Sequence, residues 1–255
     1  MLEKLVQKFL YYPTVLHQDV PVPSYAQGAS EVFLNAADGN RIHALYWAPK
    51  PGRPTILFFH GNAQSVFEWA LIHEDFREID AGLLLVDYPG YGKSSGYPHE
   101  TGLYHAGQAA YDWLVNDRKL DPKSMIVFGK SLGGGVATKI AADNSVGFLI
   151  LESTFTSIPS VARKLLPIVP RDASFKKERY DSISRLPQIH VPVLVIHGTK
   201  DELIELEEGK KLFAAANEPK ELFLVESAGH NDVSMVAGHQ YGETIRRWID
   251  KQITP

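Results

Sequence analysis

Apolar positions recur along this chain with two periods, and the two alternate. Short apolar runs of strand character fall at 31-35 and 41-48, on either side of the turn Asp38-Gly39-Asn40, and again at 55-60, 82-87, 124-129, 147-152, 192-197 and 221-226. Between and after the later runs lie segments with apolar residues at helical spacing, 65-79, 101-117, 132-143, 205-216 and 233-252. The first two strands precede the alternation and predict an antiparallel hairpin at one sheet edge. The rest is strand, helix, strand, which predicts an α/β fold: a mostly parallel eight-stranded sheet with helices on both faces.

The alternation lapses between Phe155 and His190. That stretch holds Pro159, Pro167, Pro170 and Pro187 and the charged cluster Lys176-Lys177-Glu178-Arg179, so it reads as an insertion between strands with one or two short helices. Placed over the carboxyl ends of the strands, residues 155-190 form a short cap, with Leu165, Leu166, Ile168 and Val169 as candidates for its apolar underside. The remaining irregular stretch is the N-terminal segment, 1-29. Its first ten residues carry Leu2, Leu5, Val6, Phe9 and Leu10 on one helical face. A stripe of this kind either docks on the domain's own core or gives residues 1-12 peripheral contact with a membrane surface.

Composition narrows the function classes. With 255 residues the chain can bury a substantial core, and a formal net charge of -4 gives no reason to expect a nucleic-acid partner. Having no cysteine excludes disulfides and thiol catalysis. The N-terminus lacks a signal-peptide core, so the expected location is the cytoplasm, with membrane association as the alternative.

Two Gly-x-Ser-x-Gly matches occur, Gly129-Lys130-Ser131-Leu132-Gly133 and Gly92-Lys93-Ser94-Ser95-Gly96. Only the first joins a strand directly to a helix, where a sharp turn strains the serine, lifts its hydroxyl clear and leaves room only for small residues two places before and after it. Ser94 is read as a loop residue. Each match contains Gly-Lys-Ser, but Ser124 and Asp87 stand where a phosphate-binding loop needs its first glycine. His73-Glu74 and His99-Glu100 begin a zinc-site pattern, yet Arg77 and Leu103 occupy the second histidine position. Neither a metal nor another cofactor is expected.

A serine nucleophile needs a base, and the base needs an orienting acid. His230 follows the last strand and Asp201 follows the one before it, so Ser131, Asp201 and His230 come in the order of a nucleophile-elbow hydrolase. Glu152, at another strand end, competes for the acid's role; Asp87 and Asp232 are weaker rivals. Of the other histidines, His60 and His197 precede glycines at strand ends and are read as structural imidazoles bonded to backbone. Oxyanion donors are expected from the N-H of Leu132 and from the loop His60-Gly61-Asn62-Ala63, with Asn62 favoured.

Taken together, His60-Gly61-Asn62, Asp87-Tyr88-Pro89-Gly90-Tyr91-Gly92-Lys93-Ser94, the Ser131 turn, His197-Gly198-Thr199-Lys200-Asp201-Glu202 and Gly229-His230-Asn231-Asp232 resemble the α/β-hydrolase superfamily from about residue 30 to the end. The stretches Phe9-Leu10-Tyr11-Tyr12-Pro13 and Leu151-Glu152-Ser153-Thr154-Phe155-Thr156-Ser157 are similar to its short-cap members, many of which act on acyl esters or thioesters near membranes. In that group a transmembrane helix often precedes the first stretch; here ten residues precede Tyr11. The resemblance implies one α/β-hydrolase domain over 1-255 and a serine esterase acting through an acyl-enzyme on a small-molecule or lipid-like acyl ester. An acyl-thioesterase or serine peptidase would use the same three residues, and a non-catalytic binding member is the alternative of a different class.

Overall fold

The computed structural model describes residues 10-165 and 177-253. The amphipathic stretch at 1-9 and the candidate cap residues Leu166, Ile168 and Val169 lie outside the described residues. Eight strands make one sheet: β1 (Ser30–Asn35), β2 (Arg41–Trp47), β3 (Thr55–Phe59), β4 (Gly82–Val86), β5 (Met125–Lys130), β6 (Phe148–Glu152), β7 (Val193–Gly198) and β8 (Lys220–Val225). Their spatial order is β8-β7-β6-β5-β3-β4-β2-β1. The hairpin β1-β2 closes one edge as expected. β2 also runs antiparallel to β4, and every pairing beyond β4 is parallel.

Period-two alternation divides each central strand between two cores. Leu57, Phe59, Val127, Leu149 and Leu151 face one cluster, while Ile56, Phe58, Ile126, Phe128 and Ile150 face the other. The first cluster is covered by α3 (Glu100–Asp112), α4 (Leu132–Asp143) and α7 (Leu206–Ala215). The second lies beneath α1 (Val66–Trp69), α2 (Ile72–Asp75) and α9 (His239–Ile253). α5 (Ile158–Leu165) and α6 (Ser182–Arg185) fall between β6 and β7, and α8 (Val233–Ala237) precedes α9.

Two expected helices are broken. The segment 65-79 divides into α1, α2 and a 3₁₀ turn at Arg77–Ile79, because Ala70 and Ile72 are both buried although they lie about 200° apart around one continuous helix. The segment 233-252 breaks at Gly238, whose φ of +52° no helix accommodates. The segment 101-117 keeps its length but ends in a wider π turn at Trp113–Asp117.

Registers of Phe59 with Gly129, Lys130 with Glu152 and Val225 with Gly198 bring the ends of β3, β5, β6, β7 and β8 to one rim. Both ends of the 155-190 segment are held there by carboxylates. Glu208 accepts from the Thr156 amide (2.9 Å) and from the hydroxyls of Thr156 and Ser160 (2.6 and 2.7 Å). Burial alone would raise its pKa, but these hydrogen bonds together hold it below the usual carboxylate value. Glu100, at the start of α3, accepts from the amides of Arg179 and Tyr180, each at 2.7 Å.

Candidate active site

Ser131 occupies the turn between β5 and α4 with φ 52° and ψ -118°, a backbone strain that surrounding contacts must hold. Three hydrogen bonds do so: its N-H donates to the Glu152 carbonyl (2.9 Å), and its carbonyl accepts from the Thr154 hydroxyl (2.6 Å) and the Gly134 amide (3.0 Å). The flanking glycines are required by close approach rather than by φ. A Cβ on Gly133 would lie 2.0 Å from the Phe59 carbonyl oxygen, and one on Gly129 would lie 2.4 Å from the Gly133 oxygen.

The loops after β7 and β8 carry the other two predicted residues to this serine. His230 Nε2 lies 3.0 Å from Ser131 Oγ, and His230 Nδ1 lies 2.8 Å from Asp201 Oδ2. With Nδ1-H donating to the carboxylate, Nε2 is left as the acceptor for the serine hydroxyl. The other carboxylate oxygen, Oδ1, accepts from the amides of Leu203 and Ile204 at 2.9 and 2.8 Å, which locks Asp201 in place.

The competing carboxylates are engaged elsewhere. Glu152 is fully buried, ion-paired with Lys130 at 2.7 Å and accepting from Tyr241 at 2.5 Å. Asp87 meets His43 at 2.8 Å and caps the Val66 amide at 3.0 Å. Asp232 accepts from the Gly229 amide at 2.7 Å, tightening the turn that presents His230. His60 and His197 donate to the carbonyls of Gly61 and Ile204, at 2.8 and 2.9 Å. Burial also lowers the pKa of His197, which keeps its ring neutral. Ser94 is a loop residue whose hydroxyl accepts from the His43 amide at 2.9 Å.

Loop 60-63 shows an arrangement that residue patterns did not disclose. Each of its four carbonyls has a donor: Tyr88 OH on His60 (2.7 Å), the His60 ring on Gly61 (2.8 Å), Tyr91 OH and the Tyr12 amide on Asn62 (both 2.8 Å), and the Trp69 indole on Ala63 (3.0 Å). The Tyr12 contact belongs to a two-residue parallel ladder that pairs Tyr12–Pro13 with Ala63–Gln64. A second unforeseen group is the chain Asp87, His43, Glu31 and Lys93, buried except at Glu31 and linked at 2.8, 3.0 and 2.5 Å. It ties β1 and β2 to the loop after β4. His43 stands in an apolar strand with no adjacent motif, so nothing in the residue pattern distinguished it.

Two clefts open at Ser131. The larger, about 610 Å³, contains His230 and the loop residues Asn62 to Gln64. The smaller, about 250 Å³, is bordered by Leu10, Leu132, Phe155, Ile158, Val161 and Ile204 among others. Asn62 and Leu203 border both.

This topology, with a serine elbow on its rim, is that of an α/β hydrolase, and residues 54-178 match the family described as alpha/beta hydrolase fold. An uncharacterized protein of Mycobacterium tuberculosis is 33% identical over 248 residues, 95% of this chain and 86% of the relative. Human alpha/beta hydrolase domain-containing protein 17B is 33% identical over 233 residues, covering 90% of this chain and 78% of the relative. An esterase structure from Pyrococcus furiosus superposes with a TM-score of 0.75 at 16% identity, covering 95% of this chain and 98% of that one. The chain belongs to the α/β-hydrolase family. Among the described residues, no helix is long and apolar enough to cross a membrane.

Proposed function

We propose that the protein is a serine hydrolase of carboxylic esters. The observation that carries this reading is the continuous relay from Ser131 Oγ through His230 to Asp201, at 3.0 and 2.8 Å, built on a serine with positive φ. Ser131 Oγ attacks the ester carbonyl carbon while His230 Nε2 takes its proton, and Asp201 holds the resulting imidazolium. The carbon-oxygen bond to the leaving group breaks, and His230 returns the proton to the departing oxygen. Water then attacks the acyl-enzyme, giving its proton to His230, and the acid leaves as Ser131 recovers its hydrogen. The steps require no cofactor.

The oxyanion is assigned to the N-H groups of Leu132, the first residue of α4, and Asn62. Anchoring the Gly61 carbonyl on His60 supports this, because an amide N-H points opposite its carbonyl across the peptide plane. Segment 155-190 serves as a short cap, and the whole chain acts as one domain. Ser131→Ala should lower hydrolysis of short p-nitrophenyl esters at least about 10³-fold and abolish labelling by a fluorophosphonate. Unchanged turnover would overturn the proposal.

A further inference from the structure

The two clefts at Ser131 differ in chemistry, and His230 belongs to only one of them. On the His230 side, Gln64, Glu68, Asp75, Lys130, Asn231 and Ser234 give the larger cleft polar groups beside the apolar Trp69, Leu71 and Ile72. On the other side the walls are aliphatic and aromatic, with Ile158 and Val161 almost fully buried. If the reading above holds, the two sides are not interchangeable. The leaving oxygen must receive its proton from His230 Nε2, so the leaving group departs on the imidazole side. The remaining carbonyl substituent, the acyl chain, is then directed into the apolar cleft.

We propose that the substrate joins an apolar acyl chain of medium length to a polar, non-anionic leaving group, with the chain against Ile158 and Val161 and the leaving group beside Asn231 and Ser234. Length follows from volume: about 250 Å³ holds about eight groups the size of a water molecule at its share of roughly 30 Å³, and a methylene is of similar size. Leaving-group character follows from charge. The larger cleft carries Glu68 and Asp75, while Lys130 is neutralised by Glu152 at 2.7 Å. Burial raises the pKa of Asp75, against an opposing hydrogen bond with Ser234 that lowers it.

Isomeric esters test the orientation, because ethyl octanoate and octyl acetate have the same formula but opposite placement of the long chain. The wild-type protein should favour ethyl octanoate in kcat/KM by about tenfold or more, since each methylene seated in an apolar site contributes about fourfold. Filling the cleft with Val161→Phe should lower ethyl octanoate turnover roughly tenfold and octyl acetate turnover less than about twofold. The glycerol monoester of octanoate should outrun both its hexyl ester and its glycolate ester. Preference for octyl acetate, loss of octyl acetate turnover in Val161→Phe, or preference for the hexyl or glycolate ester would overturn the assignment. So would hydrolysis of p-nitrophenyl acetate with neither isomer turned over. The wild-type ranking decides the matter even where Val161→Phe fails to fold. Ser131→Ala, run alongside, keeps the two ideas separate: activity surviving that change defeats the serine hydrolase itself, whereas Ser131-dependent activity with the reverse ranking defeats only the placement of chain and leaving group.

Discussion

The Ser131 amide donates to the carbonyl of Glu152 at 2.9 Å. Glu152, which sequence position makes a rival to Asp201, therefore supports the strained serine through its backbone and neutralises Lys130 through its side chain. Substituting the two carboxylates separates these roles. Asp201→Asn should leave the fold intact and lower kcat by about 10⁴-fold, because His230 loses the partner that fixes its tautomer. Glu152→Gln keeps the carbonyl but strands Lys130 in the interior, and thermal or denaturant unfolding should show a loss of about 3 to 5 kcal/mol. Per folded molecule, Glu152→Gln should remain far more active than Asp201→Asn; the reverse ranking would move the acid to the end of β6.

Tyr91 and the Tyr12 amide share the Asn62 carbonyl, both at 2.8 Å. Tyr91→Phe removes one of the two donors, so the loop loosens without collapsing. Steady-state kinetics on a short ester should show kcat falling about tenfold with KM nearly unchanged, a fraction of what losing an entire oxyanion donor costs. A rise in KM at constant kcat would instead assign Tyr91 to substrate binding.

Two glycines should respond to alanine for different reasons. Gly133→Ala places a methyl 2.0 Å from the Phe59 carbonyl oxygen, backbone against backbone, and should cost at least about 3 kcal/mol or prevent folding. Gly39 has nothing within 4 Å of its missing Cβ but a φ of +83°, so Gly39→Ala should cost only about 1 kcal/mol. Comparable denaturation midpoints for the two variants would show that the elbow yields more easily than its geometry implies.

Tyr11 and Tyr180 meet at 2.6 Å beside the buried Glu178. Burial first, and then the neighbouring Glu178 for Tyr11 and Tyr11 itself for Tyr180, push both hydroxyls well above the usual tyrosine value. An acid whose folded pKa is raised stays protonated while the unfolded chain ionises. The stability it gives is complete below about pH 10 and is lost as pH rises beyond that. Tyrosinate absorbance should therefore lag for these residues and then rise together with loss of circular dichroism. Titration of all 11 tyrosines near pH 10 with the fold intact would refute this.

Residue patterns carried most of this architecture, because each central strand buries both faces and so writes an uninterrupted apolar run, as Ile56 to Phe59 and Ile126 to Phe128 do. Site candidates were legible where function demands a backbone position: Ser131 between strand and helix, Asp201 and His230 after strand ends. Tyr88 and Tyr91 were not, since they reach carbonyls on a loop several elements earlier in the chain, and neither was Trp69, whose indole turns back to Ala63 from the helix that follows that loop. The broken helices were equally hidden. Apolar spacing predicts a buried face, but the choice of Ala70 and Ile72 on opposite sides of one helix becomes apparent only when the sheet they cover is known.

The ladder between Tyr12–Pro13 and Ala63–Gln64 ties the proposed site to widely separated segments of the chain. Tyr12, Asn62, Ser131, Asp201 and His230 lie far apart in the sequence, so turnover at the proposed site requires the segments that carry them to have docked. During synthesis the Tyr12 segment emerges before the His230 loop and must wait for it before chemistry at the proposed site can begin. On the proposed reading, a chain whose Tyr12 segment or His230 loop had not docked would be silent rather than partly active, and specific activity would count the molecules in which both have.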